Sequence, residues 1–174
     1  MINAVKPTIL IVDDEAEILF SLQCLLRREF DVQIAEGGRQ ALELIAVRAP
    51  QVIMTDQRMP GMTGAEFLAQ AVQLCREVVP IIFTGYADVK AVVDAVNRVH
   101  VFRYVSKPWD PDDLVNLLRE AVAHQQHLTE RHELLNDVRR FLQSLDLDGR
   151  PCGEAREQER RIIVQRIDGL LTTK

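Results

Sequence analysis

No cysteine pair, no basic excess and no long apolar run occurs in these 174 residues, and each absence removes a class of protein. Cys24, Cys75 and Cys152 are odd in number, widely spaced and form no CxxC pair. A disulfide framework or a thiolate metal site needs paired cysteines, so free thiols in a reducing cytoplasm are expected. Across residues 1–125, 12 Lys/Arg stand against 17 Asp/Glu, and beyond them 9 stand against 9. Neither part carries the basic surplus that direct nucleic-acid binding requires. No stretch approaches the ~20 apolar residues of a membrane span. The opening "MINAVKPTILIVDDE" meets its acids too early to be read as a signal peptide.

What is present is a globular composition, 47% hydrophobic, in a chain long enough for one domain with an extension. Val- and Ile-rich runs at 8–12, 31–35, 51–55, 79–83 and 101–105 predict five strands. The first and fourth are apolar nearly throughout, as strands buried on both faces are. Helical spacing lies between them. Ile18, Leu22, Leu25 and Leu26 share a face over roughly 15–29, and Ala41, Leu42 and Ile45 follow Gly37 and Gly38. Phe67, Leu68, Ala71, Val72 and Cys75 follow Gly64, and Val92, Ala95 and Val96 follow Asp88. The alternation predicts an α/β fold, a doubly wound parallel sheet with right-handed crossovers.

In such a sheet, ligands gather outside the carboxyl ends of the strands. Asp13, Asp14 and Glu15 follow the first strand, Asp56 ends the third, Thr84 the fourth, and Lys107 follows the fifth. Singly these residues read as a helix cap, a turn, a strand exit and a solvated lysine. Together they crowd acids, a hydroxyl and an ammonium on one rim. Crowded carboxylates repel unless a cation joins them, and oxygen ligands without His or Cys favour Mg²⁺. A carboxylate is also a nucleophile able to form an aspartyl-phosphate, and Asp56 is the candidate.

With those residues in view, the chain resembles the receiver domain of two-component response regulators over roughly residues 7–122. The segments that carry the likeness are "ILIVDDE", "TDQRMPGMTG", "IIFTGYAD" and "YVSKPW". "FRYVSKPWD" is similar to receivers of hydrogenase-gene regulators and of cyclic-dinucleotide phosphodiesterase regulators. The resemblance implies a flavodoxin-like sheet in the order 2-1-3-4-5, with a receiver over 1–123 and a helical extension over 124–174. It implies that Asp56 accepts a phosphoryl group from a histidine kinase or phosphotransfer protein. It implies further that Asp14 would bind Mg²⁺ directly, Asp13 mostly through water, and that the Arg58 backbone carbonyl would complete the metal site. By the same resemblance Thr84 and Lys107 would hold the phosphoryl group, and Lys107–Pro108 is expected to be a cis peptide. Tyr104 would swing in behind Thr84, changing a surface of the fourth helix, fifth strand and fifth helix. Arg58 and Tyr86 flank the path of an attacking water; Tyr86 either shields the acyl phosphate or simply packs.

After the receiver, "DPDDLVNLLREAVAHQQHLTERHELLNDVRRFLQSL" predicts one helix over about 111–145. Asp110 caps it, Pro111 suits its first position, and Asp112 and Asp113 complement the dipole. Leu114, Leu117, Leu118, Ala121 and Val122 are its sheet-facing residues. Leu114, Ala121, Leu128, Leu135 and Leu142 recur every seventh residue, with Val138 and Leu145 beside them, a seam for a parallel coiled-coil homodimer. Gln125, His132 and Arg139 interrupt it. A break at Gly149, Pro151 and Gly153 precedes a short amphipathic helix with Ile163, Ile167 and Leu170 on one face. Arg160, Arg161 and Arg166 could meet an acidic partner there, but a solvated face is the preferred reading. The expected function is a phosphorylation-operated cytoplasmic switch, not an enzyme, acting by dimerisation or on an unknown output partner. One alternative is the front end of a longer transcriptional regulator or cyclic-dinucleotide phosphodiesterase. Another, an aspartyl-phosphate phosphatase, lacks its second acid because Arg58 holds that position.

Overall fold

The computed structural model describes residues 5–85, 100–143, 158 and 161–167, without the side chains of 142 and 143. Tyr86 and the helix expected after Asp88 lie outside the described residues, as do Cys152, Arg160, Leu170 and the break at Gly149, Pro151 and Gly153. Five strands form, β1 (Thr8–Val12), β2 (Asp31–Ala35), β3 (Val52–Asp56), β4 (Val79–Thr84) and β5 (Arg103–Ser106). All pair in parallel, in the order β2-β1-β3-β4-β5. This is the doubly wound, flavodoxin-like arrangement, and its central strands are buried at every position. The edge strands β2 and β5 are half exposed, and β5 starts two residues later than its apolar run suggests.

Among the described residues four helices flank the sheet: α1 (Ala16–Leu26), α2 (Gly38–Val47), α3 (Gly64–Leu74) and α4 (Pro111–Gln143). Strand side chains alternate between faces. Leu10, Val12, Ile53 and Ile82 join Ala41 and Ile45 of α2 and Phe67, Leu68 and Ala71 of α3 in one core. Ile9, Ile11, Met54, Ile81 and Phe83 point the other way and are equally buried. The apolar stripes of α1 (Leu19, Leu22, Leu26) and α4 (Leu114, Leu118, Ala121, Val122) are buried as well. The α1 stripe includes Leu19, which the expected face omitted; Ile18 and Leu25 only flank it. Helix α1 stops at Leu26 because the chain must turn to bury Phe30 before β2. The Arg119 guanidinium then grips both carboxylate oxygens of Glu29, at 2.8 and 2.6 Å, joining that turn to α4.

The start of α4 is capped by Asp110, whose Oδ1 accepts from the Asp112 and Asp113 amides at 2.9 and 3.1 Å. The chain divides into two compact units, Met1–Gln125 and Gln126–Lys174, the boundary falling within α4. In the second unit residues 161–167 are helical, and Ile163 and Leu134 are buried. Arg166 is partly exposed but ion-paired, and so not simply solvated as expected. It pairs with Asp137 and, at 3.2 Å, with Glu133, since a folded-back helix places it over two acids one turn apart on α4. The buried leucine is Leu134, whereas the seam residue Leu135 is 61% exposed.

Candidate functional site

Strand register brings the candidate residues together. Val12 pairs with Thr55, so Asp13 comes level with Asp56 where the sheet ends. Asp56 pairs with Phe83, and Thr84 with Ser106, immediately before Lys107. The Lys107 Nζ lies 2.8 Å from Asp13 Oδ2, 2.9 Å from Asp56 Oδ1 and 3.7 Å from Glu15 Oε1. Asp13 is fully buried and Asp56 only 6% exposed, while Asp14 stands in solvent beside them.

Two buried carboxylates this close to one rim need the ammonium between them. Burial pushes the Asp13 carboxyl above its ordinary range, against the opposing hydrogen bonds from Lys107 and the Glu15 amide. Burial likewise disfavours the charged lysine, but hydrogen bonds to Asp13 and Asp56 outweigh it and hold the Lys107 pKa above the usual value. The second Asp13 oxygen accepts from the Glu15 amide at 2.8 Å, and the second Asp56 oxygen from the Arg58 amide. Asp56 therefore has one oxygen on the lysine and the other on its own loop.

That loop is fixed by residues the sequence reading passed over. Gln57 is buried; its side-chain oxygen accepts from the Ala65 amide at 3.2 Å and its backbone carbonyl from the Gly64 amide at 3.1 Å. Gly61 takes φ +79°, a left-handed value suited to glycine. Thr63 caps α3 reciprocally with Glu66, a capping box that the spacing Thr-x-x-Glu spells out. The aromatic setting of Lys107 was also missed, and no local signal marks it. Its Nζ lies 4.8 Å from the centroid of the Phe83 ring, whose other neighbour is Trp109, edge-on at 5.7 Å.

Thr84 is buried at the end of β4, its Oγ1 3.5 Å from the Gly85 carbonyl. Tyr104 packs against the α2–α3 core, and its buried hydroxyl has no hydrogen-bond partner among the described residues. Burial raises its pKa. The Lys107–Pro108 peptide is cis. Asp13, Asp56, Glu15 and Lys107 are thus in direct contact, whereas Arg58 contributes its backbone to Asp56 and exposes its side chain.

A parallel 2-1-3-4-5 sheet with a lysine clamped between strand-end aspartates defines a doubly wound, flavodoxin-like α/β domain with a charged rim at its carboxyl ends. The chain belongs to the response regulator receiver domain family, whose model matches residues 9–119. It is thereby a receiver of two-component signal transduction. It is 36% identical over 134 residues to the hydrogenase transcriptional regulatory protein HoxA of Cupriavidus necator, covering 77% of this chain and 28% of that protein. It is 35% identical over 117 residues to the DNA-binding transcriptional regulator NtrC of Escherichia coli, covering 67% and 25%. The chain spans about a quarter of the length of these relatives. Among solved structures, the signal receiver domain of an HD domain-containing protein from Pseudomonas fluorescens superposes with a TM-score of 0.66 at 36% identity, over 70% of this chain and 98% of that one. Among the described residues no helix is long and apolar enough to cross a membrane.

Proposed function

We propose that this receiver accepts a phosphoryl group on Asp56 from a histidine kinase or phosphotransfer protein, and that the modification controls an output surface. The observation that carries the reading is the Lys107 ammonium bridging Asp13 and Asp56 at 2.8 and 2.9 Å. In the proposed transfer an Asp56 oxygen forms the new bond to phosphorus while the bond from phosphorus to the donor imidazole breaks. Lys107, already on Asp56, offsets the charge that the transferred oxygens bring. Thr84 supplies a hydroxyl donor beside them.

The donor chemistry suits Mg²⁺, which receiver domains generally bind. Among the described residues no three His, Cys, Asp or Glu side chains converge into a closed metal cage. Mg²⁺ needs none, because it keeps several waters and takes one or two carboxylates. Asp14 and Asp56 with the Arg58 carbonyl would form such a set, with Asp13 acting through water. When bound, the ion supplies positive charge that neutralises crowded carboxylate and phosphoryl oxygens.

The second part of the proposal concerns output. The seam residue Leu135 is exposed, and Ile162 and Val164 of the folded-back helix are also open, at 54% and 48%. We assign these apolar positions to a homodimer contact through the extended last helix. A longer regulator is the competing reading, favoured by relatives about four times the matched length. A phosphatase is disfavoured because Arg58, not an acid, stands two residues after Asp56. Light scattering with Mg²⁺, with and without beryllofluoride as the phosphoryl stand-in, tests the scheme, with Asp56→Asn as control. A mass that doubles only in the native chain supports switch-controlled dimerisation. A calorimetric titration without beryllofluoride binding overturns the phosphoacceptor assignment.

A further inference from the structure

Lys107 has three kinds of neighbour: the two aspartates, the more distant Glu15, and the face of Phe83 with the ammonium 4.8 Å from its centroid. A ring face carries negative electrostatic potential and attracts a cation within about 6 Å, most strongly where water is excluded. Phe83 is fully buried, and it is the β4 register partner of Asp56, so ring and carboxylate emerge side by side. Trp109 meets the ring at 84° and 5.7 Å, which fixes its plane.

We infer that Phe83 is a positioning residue for phosphoryl capture, its ring face holding the Lys107 ammonium at Asp56. The inference rests on the phosphoacceptor reading of Asp56. Its logic lies in what each neighbour is free to do. Asp13 has one oxygen on Lys107 and the other on the Glu15 amide, and it is also among the residues that would hold a cation. Were Asp13 drawn toward that cation, the lysine would lose one of its two close anions. The ring, being uncharged, is not drawn to a cation at the rim as a carboxylate is, and it keeps the ammonium from following Asp13 or swinging to solvent on its flexible stem. A leucine at this place fills much the same volume without offering a π face.

The test separates the ring's electrostatics from its packing. Site-specific incorporation of 4-fluoro- and then trifluorophenylalanine at position 83 withdraws charge from the ring face with little change of shape. Phe83→Leu removes the face altogether. Beryllofluoride affinity in saturating Mg²⁺ is read by calorimetry, Mg²⁺ affinity alone is read separately, and thermal unfolding reports folding. The expected result is a stepwise loss along the fluorine series, reaching about tenfold for Phe83→Leu, with Mg²⁺ affinity unchanged. A flat fluorine series overturns the inference, and does so even if Phe83→Leu is too unstable to measure. Loss of Mg²⁺ affinity in parallel also overturns it, by showing general distortion of the rim. Failure of the native chain to bind beryllofluoride, in contrast, removes the Asp56 reading itself.

Discussion

Gly64 stands so close to Asp56 that a β-carbon on it would lie 2.2 Å from the Asp56 carbonyl oxygen and 3.0 Å from its carbonyl carbon. The first residue of α3 is thereby packed on the backbone of the candidate phosphoacceptor. No side chain fits without moving β3's end or the helix. Gly64→Ala is expected to destabilise the domain by about 1–3 kcal/mol, the usual penalty of overpacking. Urea unfolding measures the loss. Because the displaced atoms belong to Asp56, Mg²⁺ affinity should fall as well; an unchanged affinity would show that the strain relaxes through α3 alone.

Tyr104 offers the opposite sign. Its buried hydroxyl has no hydrogen-bond partner among the described residues, so folding strips it of water and these residues return nothing. Removing the group in Tyr104→Phe should stabilise the receiver by about 1 kcal/mol. A higher denaturant midpoint at an unchanged slope is the expected outcome, and a lower midpoint would mean that the hydroxyl finds a partner in solution.

Acid should weaken the capping box. The Thr63 amide, and then its hydroxyl, donate to Glu66 at 2.9 Å each and hold its pKa below the ordinary 4.5. A carboxylate with a depressed folded pKa binds fewer protons folded than unfolded. Its contribution is therefore complete above 4.5 and is lost as pH falls through the folded value. Glu66→Gln should remove this part of the acid sensitivity. Urea midpoints for both proteins between about pH 7 and pH 3 will show parallel curves if the pair contributes nothing.

Leu135 tests the dimer contact. It is exposed in the single chain, so Leu135→Asp should leave the fold intact, within about 0.5 kcal/mol, as surface changes generally do. The same substitution should reduce the solution mass to that of one chain under conditions where the native protein doubles. A doubled mass that survives the aspartate places the contact elsewhere. Arg166→Ala tests the other half of the contact, because it loosens the folded-back helix that carries Ile162 and Val164 while leaving Leu135 in place, and it should weaken the doubling as well.

Much of the site was legible because strand ends follow from local rules. Period-two apolar runs located the sheet, and a parallel sheet presents its carboxyl ends on one side, so Asp13, Asp56, Thr84 and Lys107 had to share a rim. The distinction between Leu134 and Leu135 was not legible. A heptad count assumes a partner helix on one side, whereas the chain's own helix at 161–167 accompanies burial of the neighbouring stripe. Arg166 was misjudged for the same reason, since its two acids lie about thirty residues away along the chain.

By itself the sequence determined the order of strands and helices, the family and the identities of the rim residues. Those depend on periodicity and on residue types met one segment at a time. Only the tertiary structure decided how Asp56 is held. Lys107 reaches it from beyond β5, Gly64 presses on its carbonyl from α3, and Phe83 stands beside it from β4. These are contacts between segments distant in sequence, set by sheet register to fractions of an ångström. Their short-range chemistry acts only after the fold has brought the groups together.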